Sequence, residues 1–336
     1  MRSVAVFGPG DVRTIDAEAP RCGPRDVIVA MKACGVCGTD VTFAHLGGLP
    51  MGVGPCPLPL GHEPAGEVVE IGADVLDIAL GTRVVFNPAF DDTNQIGCGS
   101  AQGALSELVA VRDAVLGRNV FRMPDEVPFE VAALTEPLSV ALHAVNRAAP
   151  EPGQTAVVFG AGPVGVAIVV WLKLRGVRDV VSVDLSAERL RLAGVLGADA
   201  TIEATDDVIA VLRSRHGTAS VLGSPVAATD IWIDAAGAQQ VIDTMLAGSR
   251  RHATVVIVAV YKHPVQFDLV TFLTKELRFT ASIAYPTEFG DVAEAVAGNW
   301  EHFAPMVTDR VPFADASDAI ARAGASSAVG KVTVVF

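Results

Sequence analysis

Hydrophobic and polar positions change rhythm near Thr155. Before it, short runs alternate apolar and polar residues: DVIVAMKAC (26–34), AGEVVEIG (65–72), TRVVF (82–86) and LSELVAV (105–111), with Gly and Pro crowding the segments between. A period of two predicts strands with one buried face, hence a compact β-rich domain with long loops. From Thr155 on, almost wholly apolar runs appear: TAVVFG, DVVSVD, ATDIWIDAAG and ATVVIVAVY. They alternate with segments of helical period: PVGVAIVVWLKLRG, SAERLRLAGVLG, DVIAVLRSRHG and AQQVIDTMLAGS. Apolar strands separated by amphipathic helices predict an α/β domain with a parallel sheet covered on both faces. The tail, PTEFGDVAEAVAGNW through GKVTVVF, predicts helices and a final strand that returns to the first domain.

Composition narrows the function classes. The 336 residues suffice for two domains, and with 51% hydrophobic and 19% charged residues a large core is expected. A net charge of −13 argues against a nucleic-acid partner. The opening MRSVAVFGPGD predicts a strand and a turn, not a secretory leader. TAVVFGAGPVGVAIVVWLKL is long enough to span a bilayer, but its Gly-Ala-Gly-Pro interruption predicts a strand, a tight turn and a buried helix, so no membrane partner is expected. The five cysteines are odd in number and form no repeat, which argues against a disulfide framework and for a cytoplasmic protein.

Two stretches carry chemistry. VVFGAGPVGVA places Gly160, Gly162 and Gly165 in G-x-G-x-x-G spacing between a strand and a helix. The first glycine permits the tight turn, the second lets backbone approach a pyrophosphate, and the third lets helix and strand pack closely. The next strand ends in Asp184, where a carboxylate can accept both hydroxyls of an adenosine ribose and repel a 2′-phosphate, favouring NAD over NADP. Asp184 could instead simply cap the SAERL helix. The second stretch, PLPLGHEPAGEVVEIG, puts His62 beside Glu63 at a strand entrance. Such a pair can be a plain surface feature. Cys37, in the Gly-flanked KACGVCGTD, could complete a sulfur, imidazole and carboxylate set suited to zinc. Glu136, before Pro137, is a further carboxylate or only a helix cap, and Cys34 reads as a small buried hydrophobe.

The motifs GVCGTD, GHEPAGEVVEIG, TEPLSVALHAV, GAGPVG and SVDLSAERL occur in one register nearly end to end. In this the chain resembles the zinc-dependent medium-chain dehydrogenases, most closely the group of sorbitol, butanediol and threonine dehydrogenases. The resemblance implies a GroES-like catalytic domain over residues 1–137 and 284–336 and a Rossmann NAD-binding domain over 138–283. It implies Cys37, His62 and Glu136 as ligands of a catalytic zinc. Glu63 would be a fourth, exchangeable ligand, or a carboxylate reaching the metal through water. Thr39 would hydrogen-bond the substrate oxygen and pass its proton outward. Val164, Asp184 and Arg189 would contact NAD, with backbone at Val258 to Val260 and around Ile283. The implied activity is hydride transfer between NAD and an alcohol, in a homodimer or homotetramer that uses the strand near KELRFTASIAY.

Departures from that pattern sharpen the expectation. NPAFDDTNQIGCGSAQG contains only Cys98, too few thiols for a structural four-cysteine site, so a single zinc is expected. Thr42 stands where the family often has a relay histidine; His45, three residues further, is either its substitute or a plain surface histidine. Ala284 precedes Tyr285 where polyol-type relatives carry an arginine, and the loop TFAHLGGLPMGVGPCPLPL is mostly apolar. These features favour secondary alcohols or vicinal diols. Polyol or L-threonine oxidation, a zinc-free quinone or enone reductase, and a non-catalytic NAD-binding protein are the alternatives.

Overall fold

The computed structural model describes residues 1–49, 55–91 and 94–336. The chain divides into two compact units, Met1–Glu136 with Phe289–Phe336, and Pro137–Glu288.

The first unit is built on a sheet whose strands run, in spatial order, Val307–Pro312, Lys331–Val335, Val27–Gly35, Glu63–Ile71, Arg83–Phe86 and Val120–Arg122; Leu108–Val111 also pairs with Val27–Gly35. All pairings are antiparallel except that of Val307–Pro312 with Lys331–Val335. The alternating runs read from the sequence fall on these strands. The C-terminal segment does supply the final strand, beside Val27–Gly35. Inward-facing Val27, Val29, Val68, Val84, Phe86, Val109 and Val334 form one core with Leu58, Leu60 and Ile320. Register decides what meets across the central strand. Gly35 faces Glu63 on one neighbouring strand and Thr333 on the other, so a residue without a side chain separates Glu63 from the strand that begins at Lys331.

The second unit has the doubly wound parallel sheet expected of a Rossmann domain. Its six strands lie in the order Ala200–Glu203, Asp179–Asp184, Thr155–Phe159, Ile231–Asp234, Thr254–Ile257, Arg278–Ala281, all parallel. The apolar character of TAVVF and IWID follows from complete burial. Strand order reverses between Thr155–Phe159 and Ile231–Asp234, and open α/β sheets bind ligands at the carboxyl ends beside such a reversal. Helix Pro163–Leu174 follows the glycine turn and is buried from Gly165 to Leu172, which explains its membrane-like hydropathy. Among the described residues, no helix is long and apolar enough to cross a membrane. A hairpin, Thr218–Val221 with Ser224–Ala227, lies where the sequence reading places no element.

Candidate active site

Cys37, His62 and Glu63 each place a donor atom within 4.8 Å of the others. Local structure explains the convergence. Cys37 is the N-cap of helix Gly38–Leu46, where the chain leaves strand Val27–Gly35. His62 immediately precedes Glu63, the first residue of the adjacent strand. Asp40 ties the two loops together: one carboxylate oxygen accepts the Cys37 N–H at 3.0 Å, and the other accepts the Gly61 N–H at 2.9 Å. The latter oxygen also lies 3.6 Å from His62 Nδ1. Gly97 completes the packing, since a Cβ there would stand 2.9 Å from the Cβ of His62.

Glu63 is fully buried and its Oε1 accepts Lys331 Nζ at 2.6 Å. Lys331, also buried, donates further to the Val36 carbonyl at 3.2 Å. The pair meets where Gly35 has no side chain: a Cβ on Gly35 would lie 1.8 Å from Glu63 Oε2. Glu136, in the first turn of helix Thr135–Ala148, is buried and acts electrostatically on Lys331. It is not among the three mutually close donors. Thr39 is half-buried, 3.6 Å from the Cys37 sulfur.

Acidic neighbours dominate the electrostatics of the site. Burial opposes charge on His62, yet Asp40 and Cys37 outweigh it and hold the imidazole pKa well above its ordinary value. Burial likewise opposes charge on Lys331, and Glu63, Cys37 and Glu136 outweigh it and push that pKa up. Meanwhile His62 Nδ1 and Glu63 Oε2 are buried without a hydrogen-bond partner. These two unpartnered atoms, with the Cys37 sulfur close by, make a sulfur, imidazole and carboxylate set around one point that fits a zinc ion, which takes neutral imidazole and thiolate.

The glycine turn of the second unit is equally specific. Gly160 has φ +92°, and a Cβ on Gly165 would lie 1.8 Å from the Gly160 carbonyl oxygen. Gly162 is the N-cap of helix Pro163–Leu174, whose first turn includes Val164 and has free N–H groups for an anion. Asp184 accepts the Ala161 N–H at 2.7 Å and the Ser186 N–H at 2.8 Å, so it braces the glycine turn. The helix cap is Ser186, whose hydroxyl accepts the Arg189 N–H at 3.3 Å. Each carboxylate oxygen keeps a second lone pair for a ribose hydroxyl. Val258 is half-buried, and Val260 and Ile283 are 85% and 82% exposed, which leaves them open to a ligand.

The remaining expected positions lie elsewhere in the fold. Thr42 donates to the Gly38 carbonyl at 2.9 Å, and His45 lies exposed in the last helical turn, lining an apolar surface groove with Val41 and Ile320. Ala284 has φ +54° and Tyr285 is buried. Cys34 is buried within its strand, and burial pushes its thiol pKa up, as for an inert packing residue. Of the apolar loop, residues 50–54 lie outside the described residues, as do 92 and 93 of the segment around Cys98. Sequence reasoning missed Asp40 and Lys331. Asp40 sits inside the GVCGTD motif, and Lys331 is the single charge in KVTVVF, a signal that could have marked it.

Comparison with known proteins agrees with this architecture. Residues 23–125 match the alcohol dehydrogenase GroES-like domain and residues 163–298 the zinc-binding dehydrogenase domain. Rat sorbitol dehydrogenase is 31% identical over 94% of this chain and 91% of its own length. The chain belongs to the zinc-dependent medium-chain alcohol dehydrogenase family. It is accordingly an oxidoreductase. Among solved members, 2R,3R-butanediol dehydrogenase from Bacillus subtilis superposes with a TM-score of 0.85 at 28% identity, covering 100% of this chain and 99% of that one. A zinc-binding dehydrogenase from Sinorhizobium meliloti, bound to NADP, gives 0.84 at 27% identity, with the same coverage of 100% and 99%.

Proposed function

We propose that this dehydrogenase transfers hydride between NAD and a secondary alcohol or vicinal diol, giving the ketone. The observation that carries the proposal is the close trio Cys37, His62 and Glu63, in which His62 Nδ1 and Glu63 Oε2 are buried without a hydrogen-bond partner. Cys37 and His62 would hold the zinc with Glu136. Glu63, restrained by Lys331, would be the exchangeable fourth donor. Zinc held there would supply charge stabilisation at a substrate oxygen, and NAD would supply the hydride acceptor. Thr39 would hold the hydroxyl and carry its proton away; its contact with the Cys37 sulfur supports this role. In this proposal Met1–Glu136 with Phe289–Phe336 handles metal and substrate, and Pro137–Glu288 handles the dinucleotide. Gly160, Gly162, Val164 and Gly165 would face its pyrophosphate, Asp184 and Arg189 its adenosine ribose, and Val258, Val260 and Ile283 its nicotinamide.

Asp184 supports NAD over NADP, because a 2′-phosphate would meet a carboxylate. Ala284 in place of an arginine supports small or apolar substrates over sugar alcohols. A panel of alcohols and ketones assayed with NAD and NADP in parallel tests both points. Turnover of 2,3-butanediol and simple secondary alcohols with NAD is expected; turnover confined to sorbitol or L-threonine, or to NADP, would refute the assignment.

Self-association belongs to the same proposal. Strand Arg278–Ala281 is the sheet's edge, and Leu269, Val270, Leu273 and Phe279 beside it are exposed apolar residues, which supports a homodimer or homotetramer. All five cysteines are free thiols, which supports cytoplasmic residence.

A further inference from the structure

Another buried carboxylate, remote in sequence from the metal donors, organises the carboxyl edge of the parallel sheet. Strand Ile231–Asp234 ends in Asp234, which is fully buried. Its Oδ1 accepts the N–H groups of Ala236 at 2.8 Å and Gly237 at 2.9 Å and so shapes the turn after the strand. Its Oδ2 accepts the phenol of Tyr261. Its main-chain carbonyl accepts the N–H groups of Val258 and Ala259, at 2.9 and 3.1 Å. One residue therefore fixes two neighbouring loops, 235–238 and 258–261.

These loops pack on each other and on the glycine turn. A Cβ on Gly160 would lie 2.9 Å from the Ala235 carbonyl, and one on Gly237 would lie 3.1 Å from the Ala259 Cβ. Burial, together with Asp234, pushes the Tyr261 pKa up, so the phenol remains a donor across the working range.

The sheet assigns the two halves of a dinucleotide to different strands. Asp184 ends the strand on one side of the Gly160 turn, so the adenosine half belongs there. The other half extends over the ends of Ile231–Asp234 and Thr254–Ile257. We infer that the Tyr261–Asp234 hydrogen bond is a positioning device for the nicotinamide half. By holding the 258–261 backbone in place before the cofactor arrives, it removes an ordering cost from binding. This inference rests on the dinucleotide site proposed above. Tyr261 need not touch the cofactor; it acts through the main chain at Val258 and Val260.

Tyr261→Phe tests it, because the ring stays and only the hydroxyl goes. Dissociation constants for NADH and for AMP are measured by calorimetric titration on the unaltered protein and the variant. NADH binding is expected to weaken about fivefold to tenfold, the share of one charge-assisted hydrogen bond that reaches the ligand, while AMP binding changes less than about twofold. AMP thus reports whether the second unit remains intact. Unchanged NADH affinity, or equal weakening of both ligands, overturns the inference. Failure of the unaltered protein to bind either ligand would instead remove the dinucleotide site itself, and the inference with it.

Discussion

Replacing Lys331 by methionine would remove the buried cation that bonds Glu63 while keeping most of the side-chain volume. The unaltered pair is dry on both sides, with side-chain exposures of 4% and 0% and a 2.6 Å contact. A Cβ on Gly35 would lie 1.8 Å from Glu63 Oε2, so the carboxylate fills the space that the glycine leaves. A charge stranded in this way costs about 3–5 kcal/mol, whereas replacing both members of a buried pair by neutral groups is often close to neutral. Lys331→Met should therefore destabilise the first unit by about 3–5 kcal/mol, and Lys331→Met with Glu63→Gln should recover more than half of that loss. Urea unfolding followed by circular dichroism on metal-free protein, in the unaltered chain, both single variants and the double variant, measures the coupling. If Lys331→Met cost less than about 1 kcal/mol, or if the two losses simply added, the ion pair would not tie these strands together.

Neighbouring geometry yields further outcomes. Gly35→Ala drives a methyl group to 1.8 Å from Glu63 Oε2, so it should cost at least about 1–3 kcal/mol and lower zinc retention under chelator challenge; unaltered retention would contradict the packing. Asp184→Ala should raise the KM for NAD about tenfold and narrow the preference over NADP, with parallel kinetics as the check. It should also loosen the glycine turn, which Asp184 braces through Ala161. His216 has a fully buried side chain between Thr229 and Asp179, and burial holds its pKa below the ordinary 6.5. Above that value the imidazole is neutral folded or unfolded. Below it, only the unfolded chain readily takes the proton, so stability should fall as pH drops below 6.5, and His216→Gln should flatten that slope in urea midpoints measured across this range.

What the sequence disclosed is set by where the signals lie. TAVVF, DVVSVD and IWID announce buried parallel strands because burial on both faces leaves no polar alternation. Cys37 and His62 are recognisable since local glycines and a strand entrance flag them. Asp40 was hidden by its neighbours: nothing in GVCGTD says that its carboxylate spans two loops 21 positions apart. Lys331 and Glu63 are 268 positions apart, and only the strand register across Gly35 brings them together. In ATDIWIDAAG, Asp234 is one strand end among several, and its link to Tyr261 spans 27 positions that no local pattern joins. The resemblance supplied the ligand roles, which spacing alone left open between metal binding, capping and surface pairing.

Zinc content is the most direct test of the central claim that distant residues of the first unit converge on one metal ion. Elemental analysis of purified protein should find about one zinc per chain, with most of it lost in Cys37→Ser and in His62→Ala while circular dichroism stays the same. Metal-free protein with full dehydrogenase activity, or variants that retain the unaltered zinc content, would contradict it.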